Sequence, residues 1–226
     1  MSAWSLKVNG LCKRYGPVLA LDRVSFEVEG GSSLALVGPN GAGKSSLLRI
    51  MAGAARPDSG RIFGLELCRR AYVPDGLGFP QATSALDWLE FLARLKGAAS
   101  RREARSQAER ALERFGLAEA ASAPAAGLSR GMQQRLLLAQ ASLGEPDLLL
   151  MDEPASALDP AWSAEWRAMI AGLRRRGATV LFSTHRLEDA LELSDRVLLF
   201  RGGKLERDVT PEAWRSASGA EVGISV

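Results

Sequence analysis

The residues with the most chemical content stand in one short run, Gly38-Pro39-Asn40-Gly41-Ala42-Gly43-Lys44-Ser45, followed by Ser46. Its spacing matches the phosphate-binding loop G-x-x-x-x-G-K-[ST] in full. Glycines let consecutive backbone N–H groups turn inward as an anion nest, and a helix opening near Lys44 adds the positive end of its dipole. Lys44 is placed to reach the outer phosphates of a nucleotide, Ser45 to offer its hydroxyl to Mg²⁺, and Ser46 to donate to a neighbouring phosphate oxygen. A second run, Asp147-Leu148-Leu149-Leu150-Met151-Asp152-Glu153-Pro154, is an apolar stretch that ends in adjacent carboxylates. Successive residues of an extended chain point in different directions. Asp152 can therefore support a metal while Glu153 faces an attacking water as general base. A loop of this kind implies a nucleotide but not the reaction, because several unrelated activities share it.

These groups need elements to hold them. Alternating apolar and polar residues over Ser5 to Asn9 and Val24 to Val28 predict half-buried strands of an antiparallel sheet, with Gly30-Gly31 as a turn. Ser33 to Val37 reads as a short buried strand, and Lys44 to Ala52 as a helix closed by Gly53. Apolar strands at Leu148 to Met151, Thr179 to Phe182 and Arg196 to Phe200 alternate with helical segments, which predicts an α/β fold with a mainly parallel sheet. Between them, residues 84 to 143 lack strand signals and predict an inserted helical subdomain. Leu86, Leu89, Phe91 and Leu92 give one apolar face there, and Ser100 to Phe115 reads as an amphipathic helix with Ala108, Leu112 and Phe115 inward. Ala118 to Ala126 is an alanine-rich turn. The whole chain, 1–226, reads as one domain.

Composition narrows the class. With 46% hydrophobic and 24% charged residues the chain falls among globular proteins rather than disordered or fibrous ones. Its apolar runs are far shorter than the roughly 18 residues a membrane span needs. No basic start with an apolar core opens the N-terminus, so no secretory signal and a cytoplasmic location are expected. Cys12 and Cys68 stand apart and read as reduced structural thiols. The formal charge of +3 comes from dispersed residues, with Arg101-Arg102 and Arg174-Arg175-Arg176 read as solvated helix faces. No nucleic-acid partner is expected.

In the order of its motifs the chain resembles the ATP-binding-cassette (ABC) family over essentially its whole length. Leu128-Ser129-Arg130-Gly131-Met132-Gln133-Gln134-Arg135 resembles that family's signature, commonly Leu-Ser-Gly-Gly-Gln, with Arg130 and Met132 as departures. The resemblance implies that Ser129 and Gly131 grip a γ-phosphate, and that Asp159, in Ser156-Ala157-Leu158-Asp159, communicates between paired ATP sites. It also implies that His185, after Ser183-Thr184, contacts the γ-phosphate and orients the water, and that Tyr15 stacks on adenine. Where the family carries a metal-touching glutamine, this chain has Asp75, an oxygen ligand on a shorter stem. Gln81 lies six residues on and is not assigned that role. The short stretch Gly60 to Arg70 suggests a trimmed surface hairpin.

The same resemblance implies a P-loop ATPase with ATP and Mg²⁺, working as a homodimer or a heterodimer with another cassette. Its partner would be a transmembrane permease subunit, which would hold it to the inner face of the membrane. The signature variant looks most like exporters with a separate membrane chain. Phe79, Leu86 and Trp88 are then candidates for docking that chain, with core packing the default for each. The rival readings are a non-transport ABC ATPase and an ATP-binding regulatory module with little turnover; Glu153 and His185 argue against the second.

Overall fold

A computed structural model describes residues 4–76, 78–158 and 160–216. Strands β1 (Ser5–Tyr15), β2 (Val18–Glu29) and β4 (Ser59–Phe63) form an antiparallel sheet in the order β2-β1-β4. A second sheet has the order β5-β6-β7-β3-β8-β9, from β5 (Arg70–Val73), β6 (Leu148–Met151), β7 (Thr179–Ser183), β3 (Ser33–Val37), β8 (Arg196–Arg201) and β9 (Lys204–Val209). All its pairings are parallel except the β8–β9 edge. Helix α1 (Lys44–Ala52) begins and ends where the glycine pattern puts it, with Gly53 in the left-handed conformation as its cap.

Strands β3, β6 and β7 are buried at every residue because both faces of this sheet are covered. Alternation along each strand divides them between two cores. Leu34 and Leu36, Leu148 and Leu150, Leu181, and Leu198 and Phe200 pack with α1 and the antiparallel sheet. Ala35 and Val37, Leu149 and Met151, Val180 and Phe182, and Val197 and Leu199 pack against the other helices. Phe182 is fully buried, with Trp166 of α5 (Pro160–Arg175) set edge-on at 5.6 Å between ring centroids. Burying a side chain of that size contributes about 3 kcal/mol.

The helical stretch between β5 and β6 holds α2 (Ala85–Leu95), α3 (Arg101–Arg114) and α4 (Arg130–Ser142). Each starts on a serine whose hydroxyl accepts a backbone N–H three residues on: Ser84 from Asp87, Ser100 from Glu103 and Ser129 from Met132. The alanine-rich turn folds back on the start of α2, with Ala85 N donating to Ala123 O and Ala125 N to Thr83 O. Two short helices complete the described chain, α6 (Leu187–Leu193) and α7 (Pro211–Ser216). Among the described residues, no helix is long and apolar enough to cross a membrane.

Three expectations change. Gly60 to Arg70 is not a hairpin: β4 adds to the antiparallel sheet while β5 edges the parallel one, so the segment bridges two sheets. Phe79 is 6% exposed and packs edge-on against half-buried Trp88 at 6.1 Å, so neither is a free docking residue. On α2 the outward apolar residues are Phe91 and Leu95, 53% and 67% exposed, because α3 and α4 take the face carrying Ala85, Leu89 and Ala93.

Candidate functional site

In a parallel sheet the groups at the carboxyl ends of neighbouring strands converge in one crevice. Here β3 runs into the glycine loop, its neighbour β7 into Thr184-His185, β6 into Asp152-Glu153, and β5 toward Asp75. Backbone bonds hold the ends level: Asp152 N donates to Val73 O at 2.8 Å and Thr184 N to Leu36 O at 3.1 Å. The resulting cavity of about 240 Å³ is lined by Asn40 to Ser46, Asp75, Asp152 and Glu153, with Val18 and Ala20 from β2.

The loop needs its glycines. At Gly38, φ is 149°, and a Cβ there would sit 2.1 Å from the Phe200 carbonyl oxygen. At Gly43, φ is 106°, and a Cβ would lie 2.3 Å from Ala20 O. The loop is thus pressed between β8 and β2 in a shape closed to side chains. Lys44 is buried, and its ammonium donates to Gly38 O at 2.6 Å and Pro39 O at 3.1 Å. Burial pushes its pKa below that of an ordinary lysine, opposed by the charges of Glu153 and Asp152. A cation held this way gains from anionic phosphate oxygens brought alongside.

Asp152 is 1% exposed. Its Oδ1 accepts from Ser45 Oγ at 3.0 Å and Ser183 Oγ at 2.7 Å, while its Oδ2 is buried with no hydrogen-bond partner. An orphaned buried carboxylate oxygen beside a serine hydroxyl and a phosphate nest suits a hard cation with oxygen ligands, so the residues fit Mg²⁺. Among the described residues no cluster of three His, Cys, Asp or Glu could hold a metal alone. A bound Mg²⁺ would take further oxygen ligands from water or phosphate.

Glu153 stands at φ 47°, strained for a residue with a side chain. Its N–H donates to Ser183 Oγ at 2.9 Å, and its Oε2 lies 2.9 Å from His185 Nδ1. The carboxylate and imidazole can share a proton and aim at one water. Ser183, buried at the end of β7, ties both acids together; sequence reasoning placed it in the histidine loop without that task. A serine closing a buried strand just before the histidine was the available signal.

Tyr15 is 45% exposed at the end of β1, outside the cavity, with Lys13 Nζ 5.3 Å from its ring centre. Ser129 and Gly131 are also outside this chain's cavity, Ser129 capping α4 and Gly131 facing Ala157 O. Asp159 lies outside the described residues.

Fold and site together define a P-loop nucleotide-binding protein of the α/β class. Residues 21–156 match the family model described as ABC transporter, and the chain belongs to that family. An uncharacterized ABC transporter ATP-binding protein of Bacillus subtilis, YxlF, is 42% identical over 205 residues, spanning 88% of this chain and 69% of the relative. The daunorubicin resistance ATP-binding protein DrrA3 of Streptomyces coeruleorubidus is 36% identical over 231 residues, 98% of this chain and 73% of the relative. A sulfate/thiosulfate import ATP-binding protein of Chromobacterium violaceum is 38% identical, covering 93% of this chain and 60% of that protein. Among solved structures, the dimeric ATP-binding cassette MJ0796 in a post-hydrolysis state with ADP and Pi superposes with a TM-score of 0.84. Its identity is 25%, over 91% of this chain and 98% of that one. The chain is an ABC transporter ATP-binding subunit and an ATPase, using ATP with Mg²⁺.

Proposed function

We propose that this cassette powers export of a substrate through a separate transmembrane permease, from the inner face of the membrane, as one half of an ATP-sandwiching dimer. The observation that carries the catalytic part is the Glu153–His185 pair at 2.9 Å beside a phosphate loop whose lysine is buried. In this reading Glu153 takes the proton of the attacking water, His185 orients that water against the γ-phosphate, and Ser183 holds Glu153 and Asp152 in register. Lys44 and the N–H groups from Asn40 to Ser46 bind the phosphates. When bound, Mg²⁺ would supply positive charge to offset the negative charge of the phosphates. Ser45, Asp152 and Asp75 would hold it, and Tyr15 would stack on adenine.

Ser129 and Gly131 lie outside this chain's own cavity, which favours their completing the site of a second copy, with Asp159 in the contact between the two. Residues 84–143 would then move as a helical subdomain within a single cassette. The dimeric state of MJ0796 supports that arrangement. Export rests on the signature variant and on the daunorubicin-resistance relative, while relatives named for sulfate, sulfonate and zinc import are of similar identity. Cells carrying Glu153→Gln in place of the parent, preloaded with daunorubicin, test the direction. Slower efflux supports export; efflux unchanged while the ATPase is dead removes drug export and leaves the ATPase.

A further inference from the structure

Where the C-terminal end of α3 meets α5 lies a cavity of about 180 Å³ that shares no lining residue with the nucleotide site. Phe115, Leu138, Trp162, Trp166 and Met169 form its apolar walls. An apolar cavity of about 150 Å³ takes a benzene ring, so this one has room for a ring-sized group. Trp166 is 2% exposed, and its indole Nε1 is buried with no hydrogen-bond partner. Buried indole N–H groups ordinarily find an acceptor.

The mouth is charged. Arg114 lines the cavity with its guanidinium 5.9 Å from the Phe115 ring centre, and among the described residues it has no carboxylate within ion-pair distance. It also lines two adjoining clefts, whose other cations are Arg69, Lys96, Arg110 and Arg176 and whose acids are Glu145 and Asp147. Asp147 is already committed to Arg69 at 3.1 Å, which leaves an excess of positive charge. Glu165 is the acid on the cavity's own rim.

We propose that this cavity is an effector site for a small amphipathic anion, a ring-sized apolar group bearing a carboxylate. The ring packs among Trp162, Trp166 and Met169, and the carboxylate supplies the charge that answers Arg114. The site is placed to bear on turnover, a part of the inference that rests on the ATPase reading. Trp162 stacks on Arg135 of α4, guanidinium to ring centre 4.3 Å, and Arg135 donates to the Phe115 and Gly116 carbonyls at 3.3 and 3.1 Å. A ligand leaning on Trp162 therefore presses on the tie between the helix begun by Ser129 and the segment that follows Glu153.

Titration calorimetry of the purified full chain, without nucleotide, tests the site with 3-phenylpropionate, its neutral analogue 3-phenylpropanol, and acetate. The expected result is saturable 1:1 binding of the acid, weaker by about fivefold or more for the alcohol, with none for acetate. At exposed rim positions, Arg114→Gln should weaken binding about fivefold, Glu165→Gln should tighten it, and Ala168→Phe should abolish it by filling the mouth. Saturating acid should change the steady-state ATPase rate of the parent by about twofold and leave Ala168→Phe unaffected. No saturable binding, equal binding of acid and alcohol, or binding indifferent to Ala168→Phe overturns the site, and a rate unmoved by bound acid overturns its effector role. Because binding is read without ATP, its failure leaves the ATPase assignment standing.

Discussion

At the scale of single residues the site is a chain of oriented acids. Ser183 Oγ bonds both Asp152 Oδ1 and the Glu153 N–H. Ser183→Ala leaves a backbone donor unpaired in a part-buried position, and we expect a stability loss of about 2 kcal/mol. Turnover should fall about tenfold or more as Glu153 loses its register, while ATP affinity is kept; calorimetry and steady-state rates read these separately. Unchanged turnover would show that the pairing is only structural. Asp75 lines the same cavity as Asp152 and Glu153, with no hydrogen bond of its own among those described. Asp75→Asn, which retains the shape, should raise the Mg²⁺ concentration for half-maximal rate severalfold, because an oxygen ligand without charge holds the ion less tightly. A Mg²⁺ curve that does not move removes Asp75 from the metal shell.

At the scale of elements, much was legible because local signals agreed with tertiary demands. The glycine loop fixed α1 to the residue, and short apolar runs bounded by charge or close to glycine gave β3, β6 and β7. Gly60 to Arg70 was misread because strand periodicity says nothing about which sheet a strand joins; β4 and β5 part company through contacts with β1 and β6 that are far away in sequence. For Phe79 and Trp88 docking and core packing both stayed open, because an aromatic looks the same in sequence whether it faces solvent or a neighbouring ring. The bond from Ser183 could not be read either, since it depends on β6 and β7 being neighbours. One inter-element tie is testable by pH. Asp147, before β6, accepts from the Arg69 guanidinium and from Arg69 N before β5. These bonds hold its carboxyl below the usual range. A depressed folded-state pKa contributes stability that is present above the unfolded value and lost as pH falls through the folded one. Asp147→Asn should therefore cost about 0.5 kcal/mol at neutral pH, small because the pair is well exposed. Parent and variant should converge as pH falls below the ordinary aspartate value of about 3.9 and on through the lowered folded-state value. A difference that persists in acid would mean that shape, not charge, makes the tie.

At the scale of the whole molecule, one sheet collects the phosphate loop, the acids and the histidine at its carboxyl edge, while the serine that opens α4 stands outside that cavity. On the proposed reading, a single copy supplies the catalytic floor and a second copy the lid. ATP should then act as the glue between copies, and a chain unable to hydrolyse it should stay closed. Steady-state hydrolysis of Mg·ATP by the purified chain, beside Glu153→Gln, with both sized in the presence of ATP, tests this account most directly. The account predicts that the parent turns over and that Glu153→Gln falls by at least about 10²-fold while accumulating as an ATP-bound dimer. Hydrolysis by Glu153→Gln at the parental rate, or an ATP-loaded variant that remains a monomer, would contradict it.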